Sequence, residues 1–193
     1  MVRIRWIQSA SCSSETFILF HARNKRTMGT LYSFGVWGSF FVAVGTAGSA
    51  LCGLVFVGLS LNLQRIKQSP ALVGRGGEAL ALLLFTLIFS LICLVPAISP
   101  RFAGILILIC GFILWIFVTN LHRTAYHEQK DTLLAYLTIR ITIAQVATIP
   151  IIVSGISLIL KAGGGLAWLA FGLAMCIVVA VFDAWVLTIE IVR

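Results

Sequence analysis

Two charges in this chain sit where hydrocarbon is expected. Arg140 interrupts the run TLLAYLTIRITIAQVATIPIIVSGISLIL, residues 132–160, and Asp183 falls inside the last apolar run, seven residues before Glu190. Seven residues make two helical turns, so Asp183 and Glu190 share one face. An ionisable side chain within a bilayer is costly and normally faces the bundle interior. Arg140 and Asp183 are therefore the candidates for a buried charge pair, with Tyr136 one turn away as a further hydrogen-bonding group. Asn62, Glu78, Asn120, Arg123 and Glu190 stand near the ends of the apolar runs. Together they would form a polar cluster at one end of a bundle. Such a set can order helices or bind a small polar species. It has no obvious means of breaking a covalent bond.

The other reactive residue types lack the spacing that chemistry needs. HRTAYHE sets His122 and His127 five apart, not the four of H-E-x-x-H. The two histidines read as polar loop residues beside the membrane surface, and no metal or other cofactor is expected. GRGGE, residues 74–78, lacks the G-K-[ST] ending of a phosphate loop. It reads as a flexible turn into a helix whose positive N-terminus meets Glu78. Cys52, Cys93, Cys110 and Cys176 fall inside apolar runs with no C-x-x-C, so they read as small packing residues. No serine has a base beside it. An enzyme is not the expectation.

Composition says which elements must carry these residues. The chain has 193 residues, of which 60% are hydrophobic and 10% charged. An ordinary soluble domain carries about 25% charged residues. Charges are absent between Arg26 and Arg65, Glu78 and Arg101, Arg101 and Arg123, Arg140 and Lys161, and Lys161 and Asp183. A helix needs about 20 apolar residues to cross a bilayer. Lipid offers the backbone no hydrogen-bonding partner, so each run must be helical. The expected fold is an all-α integral membrane bundle of five transmembrane helices with short loops. The spans are about 33–61, 78–95, 102–121, 133–160 and 166–191. Pro96 and Pro100 mark a tight turn, KAGGG (residues 161–165) marks a flexible one, and Pro150 should kink the fourth span.

Lysine and arginine orient such a bundle, because cytoplasmic loops retain them. One side collects Arg65, Lys67, Arg75, Arg123, Lys130 and Arg193; the other has Arg101 and Lys161. This places the N-terminus outside and the C-terminus inside. Residues 1–27 contradict the pattern, since they add five basic residues outside. They form a basic tail without the order of a signal peptide. Met28 stands just before the first span and is the expected start, with 28–193 a single domain. The net charge of +8 does not imply nucleic acid, because the basic residues are scattered through short loops.

The first span also carries a ladder of small residues, Gly45, Ser49 and Gly53, at a spacing that lets helix backbones approach closely. It could pack within the chain or between chains. GLVFVGLSLNLQRI, GRGGEALALLL and the ending DAWVLTIEIVR resemble a group of small bacterial multi-helix membrane proteins, over roughly residues 38–193. Some of that group are labelled modulators of a membrane-anchored ATP-dependent protease. The resemblance implies a bacterial cytoplasmic membrane and agrees with a start near Met28. It brings over no catalytic or binding residue. The expected partners are the lipid bilayer and another membrane protein or a second copy. The expected function is that of a non-enzymatic accessory or structural protein. The alternative is a small oligomeric channel or transporter using the polar cluster.

Overall fold

In a computed structural model of the chain, residues 32–67, 70–128 and 134–192 are described. Residues 1–27, Met28, Lys130 and Arg193 lie outside that set, as do the side chains of His127 and Tyr136. The elements are α1 (Phe34–Leu61), the short α2 (Leu63–Ile66), α3 (Pro70–Leu94), α4 (Pro100–Glu128), α5 (Leu134–Leu160) and α6 (Leu166–Val192). All but α2 are long and apolar enough to cross a membrane. The chain is an all-α, multi-pass bundle.

The helix boundaries follow local chemistry. Pro70 and Pro100 open α3 and α4, where a missing N–H costs nothing. Ser99 caps α4, its hydroxyl accepting from the Phe102 N–H at 3.3 Å. Helix α3 begins eight residues before the expected start at Glu78. GRGGE is therefore helical and not a turn. Gly76 lets Leu59 of α1 sit close, since an added Cβ would lie 2.7 Å from Leu59 Cδ2 and the leucine would have to turn aside. Helix α5 continues through Pro150.

The 161–165 turn is tied down and not loose. Lys161, Gly163, Gly164 and Gly165 all have positive φ. The Ser157 hydroxyl accepts from the Gly165 N–H at 2.8 Å and donates to the Ala162 carbonyl. Ser154 donates to the Gly165 carbonyl at 3.0 Å, and the Gly164 N–H donates to the Tyr32 hydroxyl at 3.2 Å. The last bond fixes the start of α1 to this end of the bundle.

Inside the bundle, buried residues recur at alternating steps of three and four. In α6 such a row is Leu166, Leu169, Leu173, Cys176, Ala180, Asp183 and Leu187, with Gly172 and Val179 buried beside it. In α5 it is Ala144, Ala147, Ile151, Ser154 and Leu158, with Thr148, Pro150, Gly155 and Ser157 buried beside it. Such a row is the spacing that suits helices packed side by side. Helix α3 lies centrally, against α1, α4 and α6. The perimeter carries Leu54, Phe56, Phe112, Ile113, Phe182 and Trp185, all exposed and suited to lipid.

The small-residue ladder of α1 divides. Gly45 packs on α3, where an added Cβ would lie 3.2 Å from Ser90 Cβ, but Gly53 has open space and Ser49 is exposed. Gly45 and Gly48 form the real contact. The closest approaches to neighbouring backbone lie elsewhere. A Cβ on Gly155 would meet Leu108 Cα, Cβ and N at 3.0 Å, and one on Gly104 would meet the Gly155 carbonyl at 3.0 Å. Gly155→Val is expected to lower stability by about 1–3 kcal/mol through overpacking against α4 backbone, measured by unfolding in detergent. Gly53→Val, in open space, should leave it unchanged. Equal effects would show that α4 and α5 do not approach this closely.

Candidate functional site

Glu78 is the centre of the site. It is 1% exposed, on the inward seam of α3. Its Oε2 accepts from Arg140 Nη2 of α5 at 2.5 Å. Its Oε1 lies 3.0 Å from His122 Nε2 of α4, at ion-pair distance though without hydrogen-bond alignment. Asp183 of α6 completes the group, its Oδ1 3.7 Å from Arg140 Nη2. Three residues before Glu78 on the same helix, Arg75 Nη1 lies 2.6 Å from Glu190 Oε2 of α6. Four helices thus place six titratable side chains at one end of the bundle.

The repeat that builds the apolar core also delivers these groups. His122 follows Ile107, Leu114 and Val118 on the buried face of α4. Arg140 sits one turn before Ala144, and Asp183 lies between Ala180 and Leu187. Each charge occupies a seam position, so the helices cannot pack without bringing the charges together. Desolvating an ion is expensive, and close opposite charges offset that cost only when the geometry is good. Here Arg140 faces two carboxylates and Glu78 faces two donors.

Several expectations need correction. Arg140 and Asp183 are neighbours, but the nearer partner of Arg140 is Glu78. Glu78 is not at a helix N-terminus. It lies two turns inside α3. His122 is not a loop residue; it is helical and 5% exposed. Arg75 is buried and leaves the set of loop charges. Among the other expected members, Glu190 joins through Arg75, whereas Asn120 and Arg123 are exposed. Asn62 donates to the Gly58 carbonyl at 2.9 Å and lines a separate groove of about 310 Å³ between α1 and α6, with Leu54, Leu187 and Thr188. Among the described residues no three His, Cys, Asp or Glu side chains are grouped to hold a metal.

Gln145 was not anticipated. It accepts from Trp115 Nε1 at 2.6 Å and donates to Thr119 Oγ1 at 3.4 Å, joining α5 to α4. The signal for His122 and Arg75 was the seam register, which places a polar residue inward as readily as a leucine; Gln145 stands one residue beyond the seam position Ala144.

No protein family, no curated protein and no solved structure matches this chain. Its function is argued from the site alone.

Removing one member of a buried pair strands the other, at about 3–5 kcal/mol. Glu78→Leu and Arg140→Leu should each cost on that order in detergent unfolding. The double variant should cost clearly less than their sum, because the two losses share one interaction. Costs that simply add would show that the two side chains are independent.

Proposed function

We propose that this chain is a non-enzymatic accessory protein of the bacterial cytoplasmic membrane that binds another membrane protein or a second copy of itself. The observation that carries the reading is the attachment of α1. Its buried residues are Phe41, Val44, Gly45 and Gly48, and it is the least buried of the five spans. Ser49 and Gly53 are left on its outer side. Small residues on a lipid-facing surface permit a close helix contact that leucine would block. The charged site fits a scaffolding role, since it joins α3, α4, α5 and α6 into one unit that can hold α1 at its side. A photoreactive side chain at Gly53 should crosslink to protein in native membranes, while one at Phe112, on the outer face of α4, should not. Equal labelling at the two positions would overturn the reading. So would ion uptake by liposomes carrying the purified chain, since that is the property of a channel or transporter.

The orientation supported by the charges is N-terminus outside and C-terminus inside. Arg65, Lys67 and Arg123 are exposed at one end of the bundle, against Arg101 and Lys161 at the other. With Arg75 buried the bias is smaller, but its sign is unchanged. Alkaline phosphatase, active only outside the cytoplasm, should be active when fused after Lys161 and silent after Arg193. The reverse pattern would invert the bundle.

A further inference from the structure

The groove between α1 and α6 is hollow because of one glycine. Gly58 lines it, and a Cβ added there would have nothing within 4 Å. Its volume of about 310 Å³ lies at the low end of the roughly 300–1,000 Å³ of small-molecule sites. Its walls are apolar, with Leu54 and Leu59 from α1 and Ala184 and Leu187 from α6. Leu54 is 70% exposed, so the groove opens sideways, where acyl chains lie. Its polar residues, Asn62 and Thr188, stand towards the chain ends of α1 and α6.

The chain leaves the groove at Asn62 and enters α2 at once. Ile66 of α2 is buried against Leu187, with Leu59 packed beside them, so α2 is held against the groove's own wall. On either side of Ile66, Arg65 and Lys67 are exposed. The acidic residues of α6 do not cancel this charge. Glu190 lies 2.6 Å from Arg75, and Asp183 lies 3.7 Å from Arg140. Basic residues beside an apolar cleft between membrane helices suit an anionic headgroup.

We propose that this groove holds one anionic phospholipid. One acyl chain lies against Leu54, Gly58 and Leu187, and the phosphate is held at the polar end by Arg65 and Lys67. Asn62 uses one amide hydrogen on the Gly58 carbonyl and keeps a second for the phosphate. Thr188 donates its hydrogen to the Ala184 carbonyl at 2.9 Å, so its oxygen is left to accept from a headgroup hydroxyl. Lipid against a flat helix face exchanges with little regard to headgroup, whereas a hollow with a basic end selects. The inference goes beyond the accessory role and holds whichever way the bundle is oriented.

The test is lipid retention by the purified full chain in detergent, read by native mass spectrometry. Phosphatidylglycerol and phosphatidylcholine with the same acyl chains are offered together. They share the phosphate and differ in net charge. Two basic residues near an anionic lipid are worth roughly 30-fold in binding, so wild type should prefer phosphatidylglycerol by about that factor. Gly58→Leu fills the hollow and should lose the bound lipid, while melting without added lipid as wild type does. Arg65→Gln with Lys67→Gln should bind the two lipids about equally. Equal binding of both lipids by wild type, or undiminished phosphatidylglycerol on folded Gly58→Leu, would overturn the proposal. A wild-type dimer that becomes monomeric in Gly58→Leu would also overturn it, because the groove would then hold a second copy. Should Gly58→Leu fail to fold, the charge variant decides, and an unchanged preference there would sink the proposal.

Discussion

A single carboxylate organises this bundle. Glu78 lies on the central helix, fully enclosed, and groups from two other helices match it. Arg140 supplies the full charge and His122 a second contact. Apolar packing between membrane helices is weakly selective, since lipid tails satisfy leucine as well as a neighbouring helix does. A buried carboxylate is selective. Only arrangements that bring α4 and α5 to Glu78 avoid leaving it alone in hydrocarbon, and Asp183 adds the same condition for α6. The helix order around α3 follows from these few contacts more than from the many leucines.

The opposite end of the bundle is held differently. There Tyr32, Ser154 and Ser157 hold the glycine turn between α5 and α6 with neutral hydrogen bonds to backbone groups. Between the two ends, glycines set the distances: Gly104 and Gly155 bring α4 and α5 nearly to backbone contact, and Gly172 does the same for α6 against Ile151. Salt and pH should therefore act on one end, while steric changes act along the middle. Helix α1 contributes no member of the charged cluster; it meets the neutral end through Tyr32 and packs on α3 along its seam and through Leu59 against Gly76.

The five helices were legible because lipid leaves the backbone no alternative, and a long charge-free run has one outcome. Arg140 and Asp183 were legible because a charge within such a run is conspicuous. Glu78 and His122 were not, because they lie close to the apparent ends of their runs, where polar residues are ordinary. Reading GRGG as a turn moved Glu78 to a helix start and hid its burial. Of the glycines there, Gly76 faces a neighbour, Leu59, and Gly74 faces Leu121, and none makes a bend. The ladder at Gly45, Ser49 and Gly53 divides for a related reason. A four-residue step drifts off a seam that alternates three and four, so Gly45 stays inside and Gly53 does not. Sequence distance along one helix was read well; the face each helix turns to its neighbours was not.

The contact between Glu78 and Arg140 spans 62 residues of chain. At about 5–20 residues per second, synthesis reaches Arg140 some 3–12 s after Glu78 has been made. For that interval α3 is in or at the membrane with a carboxylate whose counterion does not yet exist. Its position two turns inside the helix lets it remain near the headgroups while α4 and α5 follow. The hairpin of α1 and α3 is thus an unfinished intermediate by construction. Until α5 is made, that hairpin lacks the guanidinium that faces Glu78 in the finished bundle.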